Sequence, residues 1–131
     1  MNKKILVVED DRSSLTLLTY ALEQEGYEVL AASDGFAGLK TVQNEHPDLI
    51  ILDVMLPGLD GYEICRRLRK QPQTATVPII LLSARADQAD KDEGLRMGAN
   101  AYLTKPAAPS TILAKVEILL ASMNKTVDGK S

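Results

Sequence analysis

Four apolar residues, Leu49-Ile50-Ile51-Leu52, run without a break into the carboxylate of Asp53. An uninterrupted aliphatic run of this length suits a strand covered on both faces, the pattern of a parallel sheet. The residues that follow, Val54-Met55-Leu56-Pro57-Gly58-Leu59-Asp60-Gly61, form a loop punctuated by Pro and Gly. Asp53 is therefore expected at the carboxyl end of a central strand, the edge at which open α/β sheets bind their ligands. The plainer alternative is a carboxylate that only ends the strand and caps a turn.

Other stretches repeat the pattern. Ile5 to Val8 is a second all-apolar run and ends on Glu9-Asp10-Asp11, three acids that repel one another unless a cation or water relieves them. Leu15, Leu18, Ala21 and Leu22 then recur at helical spacing, with Ser13 or Ser14 as cap and Gly26 just beyond the end. Tyr27 to Ala32 alternates, Val29 and Ala31 on one side, and reads as a more exposed strand. Ser33-Asp34-Gly35 opens a second helix carrying Phe36, Leu39 and Val42, which stops before His46-Pro47. Asp60-Gly61 opens a third through Ile64, Cys65 and Leu68, whose Arg66, Arg67, Arg69 and Lys70 read as a solvated basic face.

Gln71 to Thr76 is a loop, and Val77 to Leu82 a buried strand ending at Ser83, with Pro78 near its start, where proline is tolerated. Asp87 is the expected cap of a fourth helix, Gln88 to Met97. With Gly94 inside it and few apolar anchors, it is a candidate for movement. Gly98 ends it. Ala101-Tyr102-Leu103 makes a short fifth strand, Thr104-Lys105-Pro106 turns the chain, and Ser110 caps a last helix that buries Ile112, Leu113, Val116, Leu119 and Leu120. Residues 1–123 form the domain; Asn124 to Ser131 is a polar tail or the start of a linker, frayed at the terminus.

Five strand–helix pairs with right-handed crossovers give a doubly wound α/β sandwich, helices on both faces of a parallel sheet. With five strands the flavodoxin-like order 2-1-3-4-5 is the common solution, and it places strands one and three side by side. Length and composition agree: 131 residues suffice for one domain and one good core, with 45% apolar and 25% charged residues. A net charge of −3 argues against direct nucleic-acid binding. One cysteine, Cys65, precludes an internal disulfide and fits a reducing compartment. The apolar run after Lys3 and Lys4 is too short for a signal peptide or a membrane span. A cytoplasmic, soluble protein is expected.

In that strand order Glu9, Asp10 and Asp53 converge at one sheet edge. Ser83 ends the fourth strand there, and Lys105 follows the fifth. Clustered carboxylate oxygens without His or Cys suit a hard cation, Mg²⁺ being the usual one with phosphates and Mn²⁺ the substitute. A lysine and a hydroxyl facing the cluster suit an anionic group. An aspartate can itself be the nucleophile and form an acyl phosphate. Taken singly, each residue also has an ordinary explanation: Glu9 as a strand end, Asp11 as a solvent-facing acid, Ser83 as a turn cap, Lys105 as a surface lysine beside Asp10.

Ile5 to Asp11, Asp48 to Gly61, Pro78 to Ala84 and Gly98 to Pro106 together resemble the CheY-like receiver domains of two-component response regulators, over nearly the whole length from Lys3 to about Met123. The resemblance implies that Asp53 is the phosphoacceptor, loaded by a sensor histidine kinase or a phosphotransfer protein. Glu9, Asp10, Asp53 and the backbone carbonyl of Met55 would hold Mg²⁺. Ser83, the backbone N–H of Ala84 and Lys105 would bind the phosphoryl group. Tyr102 would be the switch aromatic that turns as Ser83 moves, and the Lys105–Pro106 bond would be cis. Met55 and Arg85 would occupy the variable positions that tune phosphoryl lifetime, Arg85 by shielding the acyl phosphate from water. Output would pass through the surface of the fourth helix, fifth strand and fifth helix to a downstream target, the chain being a monomer or a weak phosphorylation-dependent dimer. Membrane attachment and direct nucleic-acid contact are not expected.

Some positions depart from the family pattern. Ser83 replaces the more frequent Thr, and Ala107 stands where an aromatic is common. Lys91 and Lys115 meet no acid at Asn100, Ala101 or Thr111, which leaves the mode of dimerisation open. The resemblance fits a stand-alone switch or the amino-terminal receiver of a longer transcription factor or output enzyme. In neither case is the domain expected to turn over external substrates beyond self-phosphorylation and slow autodephosphorylation. A phosphatase with an Asp nucleophile needs a second acid two residues on, and that residue is Met55. A flavodoxin would not place three carboxylates at its phosphate loop, and no Gly-x-x-x-x-Gly-Lys segment exists.

Overall fold

A computed structural model describes residues 2–129, with side chains described as far as Met123. The elements run β1 (Lys4–Val8), α1 (Arg12–Gln24), β2 (Glu28–Ala32), α2 (Gly35–Glu45), β3 (Leu49–Asp53), α3 (Gly61–Arg69), β4 (Ile79–Ser83), α4 (Gln88–Arg96), β5 (Ala101–Thr104) and α5 (Pro109–Gly129). All strand pairs are parallel, in the order β2-β1-β3-β4-β5. β3 and β4 are buried along their whole length.

Side chains of successive strand residues point to opposite faces, so each aliphatic run feeds two cores. Leu6, Val8, Ile50, Leu52, Ile79 and Leu81 meet α2 and α3 through Val42, Ile64 and Leu68. Ile5, Val7, Ile51, Ile80 and Leu82 meet α1 and α5 through Leu18, Leu22, Ile112 and Val116. Removing one such side chain from the core costs about 2–5 kcal/mol. The helices lie close to the sheet because glycines face it. A Cβ on Gly38 would come within 3.0 Å of Val8 Cγ2, and one on Gly61 within 2.6 Å of the Asp53 carbonyl oxygen.

Local details differ from the expectations at helix starts. Asp11, not Ser13 or Ser14, caps α1: its Oδ2 accepts from Ser14 N at 2.9 Å and from Ser14 Oγ at 2.7 Å. Asp11 is exposed, as expected, but it is a helix cap as well. Asp34 and Asp60 cap α2 and α3 through Ala37 N and Glu63 N. Asp87 occupies the cap position of α4 yet makes no side-chain hydrogen bond. Ser110 lies inside the first turn of α5, because Pro109 takes the first helical position, where a missing N–H leaves nothing unsatisfied. α5 continues past Met123 to Gly129, while Lys130 and Ser131, the end of the expected tail, lie outside the described residues.

Two side-chain expectations are corrected. Phe36 is exposed, its ring beside Gly58, because Gly35, Gly38 and Val42 form the stripe that α2 buries. Arg69 does not belong to a solvated face. Its guanidinium is half-buried and donates to the carbonyls of Gly98 and Thr74 at 2.9 and 3.0 Å and to Asn100 Oδ1 at 2.9 Å. It thereby ties the end of α3 to the α4–β5 connection.

Candidate functional site

The parallel register brings the carboxyl ends of β1, β3, β4 and β5 to one edge. Glu9 follows β1 and is held by its N–H on the Ala32 carbonyl (3.0 Å). Asp53 is the last residue of β3, beside Leu82 of β4. Ser83 ends β4 opposite Thr104, and Lys105 N donates to the Ser83 carbonyl at 2.7 Å. The Lys105–Pro106 peptide is cis.

These placements gather the charged groups. Lys105 Nζ donates to Glu9 Oε1 at 2.7 Å and to Asp53 Oδ2 at 2.8 Å. The other oxygens are occupied by backbone: Asp53 Oδ1 accepts from Met55 N (3.0 Å) and Glu9 Oε2 from Asp11 N (3.1 Å). Glu9 and Asp53 are only 4% and 6% exposed, whereas Asp10 is open to solvent. One carboxylate oxygen from each of the three lies within 4.8 Å of the other two.

Among the described residues, three carboxylates thus gather beside a single ammonium. Burial pushes the Glu9 carboxyl above its ordinary range; Lys105 and the Asp11 N–H pull it back in part, and the nearness of Asp53 adds to the rise. For Lys105, burial works against the charge, but hydrogen bonds to Asp53 and Glu9 outweigh it and hold the ammonium above its usual value. The donor set is all oxygen, excess in negative charge and accessible from the Asp10 side, which fits a hard divalent cation.

Around this centre lie the other expected residues. Ser83 is fully buried, and its Oγ accepts from Arg85 N at 3.0 Å. Tyr102 is half-buried on β5, and its hydroxyl donates to the Arg85 carbonyl at 3.0 Å. Ala84 is exposed at the rim. Met55, 54% exposed, and Arg85 line a cleft of about 400 Å³ together with Asp10 and Asp60. On the other side, an apolar groove of about 490 Å³ between α1 and the β5–α5 connection, lined by Leu17, Leu18, Pro106, Pro109 and Ile112, opens beside Glu9 and Lys105. Tyr62 was not singled out by sequence reasoning. Its hydroxyl donates to the Asp90 carbonyl in the first turn of α4 (3.1 Å). An aromatic at a half-buried helix position gives no sequence sign of that bond.

Comparison with known proteins agrees with this geometry. Residues 5–117 match the response regulator receiver domain family. The chain is 52% identical over 120 residues to the alkaline phosphatase synthesis transcriptional regulatory protein PhoP of Bacillus subtilis (strain 168), covering 92% of this chain and 49% of that protein. It spans about half the length of the curated relatives it matches. Among solved structures, a CheY-like receiver domain protein from Methanospirillum hungatei JF-1 superposes with a TM-score of 0.90 at 32% identity, covering 96% of this chain and 99% of that one. The receiver domain of the sensor histidine kinase PA1611 from Pseudomonas aeruginosa PAO1, with a magnesium ion coordinated in its active-site cleft, superposes at 0.85 with 33% identity, covering 92% and 99%. The chain belongs to the response regulator receiver domain family of two-component signalling.

Proposed function

We propose that this receiver is a phosphorylation-activated switch whose phosphoacceptor is Asp53. A carboxylate oxygen of Asp53 attacks phosphorus, the bond to the donor imidazole nitrogen of a histidine kinase or phosphotransfer protein breaks, and an acyl phosphate forms. The observation that carries this reading is the hydrogen bond of Asp53 Oδ2 to Lys105 Nζ at 2.8 Å, with Glu9 and Asp10 oxygens alongside.

Glu9, Asp10, Asp53 and the Met55 carbonyl would hold Mg²⁺, or Mn²⁺ in its place. When bound, the ion supplies positive charge for the transferring phosphoryl oxygens. Lys105 supplies the second positive charge, and Ser83 Oγ and the Ala84 N–H donate to the same anion. The apolar groove beside Lys105 offers a surface on which the donor can seat. Met55, where a phosphatase would need an acid, is consistent with self-phosphorylation and slow autodephosphorylation as the only chemistry.

The acyl phosphate carries a charge of about −1.5 to −2 where the carboxylate carried −1, spread over three further oxygens in a partly buried site. Ser83 turns from Arg85 N to the new anion, the β4–α4 loop follows, and Tyr102 leaves the Arg85 carbonyl to fill the space. Population thereby shifts towards a state with a different α4–β5–α5 surface, which a downstream partner or a second copy would read. Among the described residues no helix is long and apolar enough to cross a membrane. We place the domain in the cytoplasm and assign it no direct nucleic-acid contact. Because the matching relatives are named transcriptional regulators about twice as long, a receiver segment of a longer regulator is the second reading. Incubation with a small acyl-phosphate donor and Mg²⁺ tests the proposal by intact mass. One phosphate adduct is expected, absent with chelator and absent from Asp53→Asn; an adduct that survives Asp53→Asn overturns it.

A further inference from the structure

Segment 84–98 carries α4 on very little packing. α4 buries only Gly94 and lacks a side-chain cap. Besides the bond from Ala99 N to the Gly94 carbonyl at the helix end, four hydrogen bonds among the described residues attach the segment to the body. Arg85 N donates to Ser83 Oγ, and Tyr102 donates to the Arg85 carbonyl. Arg69 Nε donates to the Gly98 carbonyl at the far end. The fourth joins Tyr62 of α3 to the Asp90 carbonyl. The first two are the bonds that the proposed switch must break; the Tyr62 bond holds the same segment five residues further on.

α4 and the Tyr102 ring are not independent. A Cβ at Gly94 would lie 2.8 Å from Tyr102 Cδ2 and 2.9 Å from Leu81 Cδ1, so the helix rests directly on that ring. If the ring turns, the surface under α4 changes and the helix must follow. Tyr62 is packed in the same core as Tyr102 and Met97 and anchors the first turn of α4 to α3, which stays. Burial first, then the facing Tyr102 and Asp90, keep its phenol above the ordinary range despite the opposing charge of Arg85, so the hydroxyl remains a donor throughout the physiological range.

We propose that Tyr62 is a positioning residue of the switch: through the Asp90 carbonyl its hydroxyl holds α4 in the resting position and opposes the turning of Ser83 and Tyr102. The inference rests on the phosphoacceptor reading of Asp53. The bond exists only in the resting state, so its loss in Tyr62→Phe shifts the equilibrium towards the activated state by roughly 2- to 10-fold, the factor carried by one net hydrogen bond. The ring, and with it the core packing, is retained.

The test is a titration of the wild-type chain and Tyr62→Phe with Mg²⁺ and beryllofluoride, a mimic of the acyl phosphate, followed by amide NMR. Half-saturation is expected at roughly 2- to 10-fold lower beryllofluoride in Tyr62→Phe. The free variant's resonances from Ala84 to Asp92 are expected to move from the free towards the bound wild-type positions. A merely structural role would lower stability without that directed movement. Unchanged half-saturation with unmoved resonances overturns the proposal. Should Tyr62→Phe not fold, the ring ζ-carbon of Tyr62 in the wild type serves instead: its shift is expected to change on saturation, and an unchanged shift overturns the proposal. A wild type that binds no beryllofluoride removes the reading of Asp53 and this inference with it. A wild type that binds, with the variant identical, removes this inference alone.

Discussion

Replacing Lys105 by Met keeps the aliphatic stem and removes the ammonium that faces the carboxylate cluster. Its Nζ is 2.7 Å from Glu9 and 2.8 Å from Asp53, and those side chains are only 5% and 7% exposed. Removing one partner of a fully buried ion pair costs about 3–5 kcal/mol. Lys105 is itself 28% exposed, so solvent screens part of the interaction and about 2–3 kcal/mol is the appropriate expectation. With a urea slope of about 1.5 kcal/mol per molar, the unfolding midpoint in chelator should fall by about 1.3–2 M. Divalent cation should shrink the deficit, because the variant lacks the ammonium that competes for the same oxygens and binds the ion more tightly than the wild type. At about 100-fold excess over its dissociation constant the ion adds about 2.7 kcal/mol to the chain that binds it, and each tenfold advantage of the variant recovers about 1.4 kcal/mol. Urea titrations with chelator and with Mg²⁺ read both effects. A midpoint that drops by less than about 0.3 M in chelator, or a deficit that Mg²⁺ leaves untouched, would refute the electrostatic account of the cluster.

The remaining expectations concern caps, pH and phosphoryl lifetime. Asp60→Ala should lower stability by about 1 kcal/mol through the lost bond to Glu63 N. Asp87→Ala, where no such bond exists, should stay within about 0.3 kcal/mol; thermal unfolding of both variants compares them directly. Hydrogen bonds from Arg66 and Arg67 depress the Glu63 carboxyl to about 2 from an ordinary 4.5. A depressed carboxylate contributes stability above the ordinary value and loses it as pH falls through the depressed one. The stability difference between the wild type and Glu63→Gln should therefore shrink between pH 4.5 and 2; a difference constant over that window contradicts it. Arg85 lines the cleft over the site with Met55 and Asp10. Arg85→Ala should speed loss of the phosphoryl group, and an unchanged dephosphorylation rate removes the shielding role.

Strands were legible because their requirement is collective. Ile5 to Val8, Leu49 to Leu52 and Ile79 to Leu82 are aliphatic throughout, and only a sheet covered on both faces explains such runs. Once the order of the strands follows, the meeting of Glu9, Asp53 and Lys105 follows too, since the ends of adjacent strands have nowhere else to go. Decisions between near-equal local options were not legible. Asp11, Ser13 and Ser14 are all good caps, and the choice fell to the residue whose extended backbone precedes the first turn. Phe36 looked like a core residue, yet the close approach of Gly35 and Gly38 to their neighbours turned it outward. Arg69 carried the composition of a surface run, but acceptors from the distant Gly98 and Asn100, with the nearby Thr74 carbonyl, converge on its guanidinium. Tyr62 depends in the same way on a carbonyl 28 residues away, a partner that no local pattern announces.

Borohydride reduction of the phosphorylated chain locates the modified residue most directly. Hydride converts an aspartyl phosphate to homoserine with release of phosphate, and peptide mapping then reads the position. Homoserine at Asp53, formed only when Mg²⁺ accompanied the phosphodonor, is the expected result. Homoserine at another carboxylate, or none at all in a chain that carries the phosphate mass, would contradict the central role of Asp53.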